Sequence, residues 1–191
     1  KNLYPSKEIV KERSLPELHL EKKNEGFMDA SQVQYVARAG NYAAHGFSYH
    51  GALRILKVIL GYDYLWINVR VKGGAYGCMN GYMRNGDTYF VSYRDPNLSA
   101  TNEIYDGIPA YLEKFDADER EMTGYIIGTI SNIDRPMNPA AKGDRSMNLY
   151  MNHVSQEMIR TERSQILHAA QEDIRALAAV VEAMLKAEQI C

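Results

Sequence analysis

Asn85-Gly86 lies between two extended, alternating runs, and no other dipeptide constrains the folding of this chain so tightly. Such a pair predicts a β-hairpin with a type I′ turn, because both central positions of that turn need φ > 0. The hairpin strands are predicted near 74–84 and 88–95, with Asp95-Pro96-Asn97 ending the second. Just ahead lies Gly73-Gly74-Ala75-Tyr76-Gly77, where three glycines in five residues let backbone come close to a neighbour. Arg70 precedes them. A fixed cation, a glycine bend and a phenol within seven residues suit a surface that holds an extended polar ligand.

The rest of the chain is read around that hairpin. Residues 1–25 are charged, carry Pro5 and Pro16, and read as a linker or connecting arm. Period-two alternation at 27–39 predicts a half-buried strand, with Val33, Tyr35, Ala37 and Ala39 on one face and Gln32, Gln34 and Arg38 on the other. After Gly46, an apolar stripe through Leu53, Leu56, Ile59 and Leu60 predicts a helix. Gly61 is expected to break it, with a second helical piece from Tyr62 to Arg70.

Beyond the hairpin, Ser99 or Thr101 caps a helix that carries Ile104, Tyr105, Ile108, Tyr111, Leu112 and Phe115, interrupted by Pro109. Asp118 with Glu121 forms a capping-box start to the next helix, where Gly124 and Gly128 are expected to allow close backbone packing. Further helices are predicted over 140–152, 154–169 and 171–187, and the chain stops where another strand could begin. Hairpin-linked strands followed by clustered helices define an α+β class: a mostly antiparallel sheet with helices packed on one face. Residues 26–191 are expected to form one such domain.

Several functional classes are excluded or disfavoured. A net charge of −2, with 24% charged and 46% hydrophobic residues, gives no footprint for nucleic acid or an anionic membrane. No run of eighteen apolar residues predicts a membrane span, and KNLYPSKEIVKERS lacks the apolar stretch of a signal peptide. The missing initiator Met suggests a fragment or processed product, and the two distant cysteines suit a reducing, intracellular setting: cytoplasm, or an organelle matrix in a eukaryote. KGGAYG matches neither GxGxxG nor GxxxxGK[ST] and leads into a strand, so it is not read as a phosphate loop.

His19, His45, His50, His153 and His168 form no ligand pattern, and no cofactor or metal site is expected in this chain. Cys78 lies in a strand with no evident base, and GxSxG is absent. Arg70 and Tyr76 remain. Arg70 reads either as a cation at a helix C-terminus or, with the Tyr76 hydroxyl, as a donor to a peptide carbonyl. If that carbonyl is attacked, both donors stabilise the developing oxyanion.

LWINVRVKGGAYG, followed by RNGDTYFVSYRDPN, resembles the C-terminal half of the pitrilysin/insulysin family of zinc peptidases, and its presequence-protease branch most closely. The resemblance runs from about residue 30 to the end. It implies the last of four α+β domains in a clamshell enzyme. In that family the zinc and its HxxEH motif belong to the N-terminal half. The last domain contributes an Arg and a Tyr to the carbonyl of bound peptide; the matching positions are Arg70 and Tyr76, with Gly73, Gly74 and Gly77 shaping the loop. The implied partners are that zinc-bearing half and unstructured peptide substrates. HxxEH is missing from this sequence, so the chain alone is not expected to cut peptides. The alternative is a non-catalytic scaffold or binding subunit of a processing-peptidase-like assembly.

Overall fold

The computed structural model describes residues 30–186. The connecting arm at 1–25 and the segment Gln189-Ile190-Cys191 therefore lie outside the described residues. Three strands, β1 (Gln34–Asn41), β2 (Gly77–Tyr82) and β3 (Asp87–Asp95), form an antiparallel sheet in the order β1-β3-β2. Among the described residues there are seven α-helices: α1 (Ala52–Ile59), α2 (Ser99–Asp106), α3 (Ile108–Glu113), α4 (Glu119–Ile133), α5 (Pro139–Met151), α6 (Gln156–Leu167) and α7 (Gln171–Lys186). This is the α+β arrangement read from the sequence.

The core lies between one face of the sheet and α1, α3 and α7. Val36 and Phe90 from the sheet meet Leu53, Leu56, Ile59, Tyr105, Ile108, Leu112, Ile174 and Val181. Among the described residues nothing covers the opposite face: Tyr35 and Met79 there are 73% and 50% exposed. β1 is the half-buried strand expected, and the structure settles which of its two faces is inside. The side that carries Tyr35, Ala37 and Ala39 faces outward, while Val36 and Arg38 point into the protein. Arg38 tolerates burial because its guanidinium pairs with Asp106 at 3.2 Å and donates to the Leu185 carbonyl at 3.0 Å.

Gly61 does not end the first helix. The helix continues past α1 through two wide π-helical turns, Leu60–Tyr64 and Trp66–Lys72. The extra residue in such a turn shifts the helical face. Leu65 and Val69 thereby stay on the buried side begun by Ile59 and Leu60, where α-helical spacing would have turned Asp63 and Trp66 inward.

The hairpin turn also differs from expectation. Gly86 N–H donates to the Met83 carbonyl at 3.1 Å, and Gly86 alone takes φ 97, whereas Asn85 keeps φ negative. This is the longer loop that ends in a left-handed glycine. Asn85 works through its side chain, donating to Asp87 Oδ2 at 2.7 Å and accepting from Asp87 N–H. Behind the turn, the buried carboxylate of Glu162 accepts from Arg84, from Arg54 Nε at 2.7 Å and from the Tyr49 hydroxyl at 2.9 Å. That network pins the hairpin tip to α1 and α6.

Pro109 falls in the first turn of α3, where its missing N–H is harmless, and Gly107 joins α2 to α3. The Asp118–Glu121 capping box is present in both directions, at 2.8 and 2.9 Å. Close packing at Gly124 and Gly128 is not found. A Cβ at Gly124 would meet nothing within 4 Å, and at Gly128 only Val58 at 3.8 Å. These glycines instead line an open groove with Val58, Tyr62 and Tyr125.

Candidate functional site

The second π-helical turn delivers Arg70, and the glycine bend returns the chain to β2. Gly74, at φ 80, ends the helix in the left-handed conformation that glycine favours. The Gly74 and Ala75 N–H groups turn back to the carbonyls of Arg70 and Val69, at 3.0 and 3.2 Å. Gly73 is excluded from carrying a side chain, because a Cβ would lie 2.5 Å from the Val69 carbonyl oxygen. Asn97 also donates to the Gly73 carbonyl and ties the bend to the turn after β3. Gly77 lies under a ring: its Cβ would fall 2.4 Å from Tyr93 Cε1. The glycines do serve close approach, and what approaches them is this domain's own helix and sheet.

Arg70 and Tyr76 are coupled through the bend. Arg70 Nε donates to the Tyr76 carbonyl at 3.0 Å, and its guanidinium carbon stands 4.0 Å from the centre of the Trp66 ring. One edge of the fork therefore holds the loop. Among the described residues, no protein acceptor lies within hydrogen-bond distance of its two terminal amino groups. Tyr76 is 60% exposed, and its hydroxyl likewise has no protein partner among them. Its backbone N–H joins β3 through the carbonyls of Tyr93 and Arg94, at 3.2 and 3.3 Å. Its ring meets the edge of Tyr93 at 5.4 Å, and Tyr93 stacks on Tyr35 at 6.5 Å.

The site thus presents multiple N–H donors and one phenol on a rigid frame beside an open aromatic sheet face. This chemistry suits acceptors such as peptide carbonyls. At Cys78, next along β2, burial pushes the thiol up to about 11, with Arg70 opposing and Asp95 adding to the shift, which favours the neutral thiol over the thiolate. Trp66 and Arg94 are members of the site that the sequence reading passed over. Trp66 was legible as the i−4 neighbour of Arg70 on a helix. Arg94 was not, since it depends on a bulge in β3. Among the described residues, no group of three or more His, Cys, Asp or Glu side chains converges to hold a metal ion. No helix among them is long and apolar enough to cross a membrane.

The fold is that of zinc-protease domains. A candidate zinc protease from Bordetella pertussis Tohama I superposes with TM-score 0.61 over 82% of this chain and 90% of that one, at 14% identity. A protease from Helicobacter pylori gives 0.60 over 80% of this chain and 39% of that one, at 17% identity. The family follows from sequence: residues 24–190 match the PreP C-terminal domain, and the chain belongs to that family. It is 50% identical over 172 residues to Protein HypA of Clostridium perfringens, covering 90% of this chain and 18% of that protein. It is 34% identical over 161 residues to Presequence protease 1 of Arabidopsis thaliana, covering 84% and 15%. The chain therefore spans less than a fifth of the length of these relatives.

Proposed function

We propose that residues 26–191 form the metal-free last domain of a presequence-protease-like zinc metallopeptidase. The domain closes one wall of a peptide chamber and offers Arg70 and Tyr76 to the backbone of an unstructured peptide. Residues 1–25 connect it to the preceding part of the protein. Among the described residues no group of three or more His, Cys, Asp or Glu side chains converges to hold zinc; in this reading another part of the full-length protein holds the metal, and this domain supplies organic donors. The observation that carries the reading is the Arg70 Nε to Tyr76 carbonyl bond at 3.0 Å, which fixes the two donors to one frame while leaving their outer N–H and O–H groups unclaimed by the described protein.

Donors held on such a frame stabilise negative charge on an attacked carbonyl without having to reorganise. The test is kinetic, in the full-length protein. Tyr76→Phe removes only the hydroxyl, and Arg70→Ala removes the cation together with the tether. Each lowers kcat/KM by about 10²- to 10³-fold with bound zinc unchanged. Unchanged kinetics in both variants would refute the role. An HxxEH motif upstream in the same reading frame supports the peptidase over a non-catalytic subunit.

A further inference from the structure

β3 breaks its own alternation at Tyr93-Arg94. Ser92 and Asp95 are both fully buried, so two residues, not one, stand between inward positions. The pairing with β1 records the same insertion: Val36 opposes Ser92, and Gln34 opposes Asp95. A bulge of this kind re-aims a side chain. Arg94 absorbs it at φ 48, a conformation that residues with a Cβ rarely adopt.

Asp95 over-determines the bulge. Its buried carboxylate accepts from Ser92 Oγ at 2.5 Å, Thr101 Oγ1 at 2.7 Å and Asn97 N–H at 2.9 Å. The outcome is specific: the exposed Arg94 guanidinium carbon lies 5.4 Å from the centre of the Tyr76 ring. Among the described residues, no carboxylate pairs with Arg94. Tyr76 is therefore bounded on one side by the Tyr93 ring and on another by a cation.

We propose that Arg94 is a positioning residue for Tyr76, and that the bulge exists to hold its guanidinium over that ring so that the phenol keeps its direction toward the substrate carbonyl. The inference rests on the reading of Tyr76 given above. The competing account makes the bulge a purely structural kink and Arg94 a solvated side chain. Arg94→Gly separates the two, because glycine takes φ 48 freely while removing the guanidinium.

The experiment is a double-mutant cycle in the full-length protein with an unstructured peptide substrate, with melting temperature read alongside. Arg94→Gly melts at or above the wild-type temperature, yet kcat falls about three- to fivefold, the range for a partly exposed cation over a ring. Arg94→Lys recovers at least half of that loss. In the Tyr76→Phe background, which keeps the ring and lacks the hydroxyl, Arg94→Gly has no further effect. An unchanged kcat in Arg94→Gly, an equal loss in the Tyr76→Phe background, or Arg94→Lys no better than Arg94→Gly would each overturn the proposal. A Tyr76→Phe variant that is itself fully active removes the reading of Tyr76 beneath it, so the two failures are told apart.

Discussion

Gly77 and Gly81 lie directly opposite Tyr93 and Tyr89 across the β2–β3 pair, and each glycine lies under the ring of its partner. A ring laid over a strand glycine replaces the missing side-chain contact and fixes register. A Cβ at Gly81 would fall 2.5 Å from Tyr89 Cε1. Gly81→Ala is expected to cost about 1–3 kcal/mol in chemical unfolding, and much less in a Tyr89→Ala background; equal costs in both would show that the ring contact is not the cause. That Gly73 and Gly77 let a neighbour come close was legible in the sequence, whereas the bond from Arg70 to the Tyr76 carbonyl was not. What closes on the glycines was not legible, because the Tyr93 ring reaches Gly77 from a residue sixteen positions away. Arg94 escaped for a related reason: a bulge is fixed by a buried Asp95 that only the folded chain surrounds with donors.

Among the elements, those with strong local signals were read correctly in kind. The hairpin, the capped start of α4 and the Pro109 joint all follow from side chains acting on adjacent backbone. The errors share one origin, since each was settled by contacts distant in sequence. Alternation in β1 gave two faces but not which one is buried, and Arg38 goes inside because Asp106 and the end of α7 receive it. Gly61 stays helical because π-helical turns keep Leu65 and Val69 in the core. Gly124 was read as a packing glycine, yet no atom lies within 4 Å of its would-be Cβ. Gly124→Ala should therefore stabilise the protein by about 0.5–1 kcal/mol through helix propensity alone, measured as a higher unfolding midpoint. A lower midpoint would mean that another part of the protein closes on that groove.

At the largest scale, among the described residues the helices cover one face of the sheet and leave the other face aromatic and open, with Arg70 and Tyr76 at its margin. Strand, helix, hairpin and then clustered helices was readable as α+β from order alone. What that face meets was not, since alternation along a strand marks two faces and does not say what lies across either. In our account that space holds substrate peptide. The most direct test places a photoreactive benzoylphenylalanine at position 76 of the full-length protein, with position 150 on the exposed side of α5 as control. Irradiation with a bound, uncleaved peptide should crosslink it at position 76 and not at 150. Failure of position 76 to capture peptide, in a protein that binds it, would contradict the account.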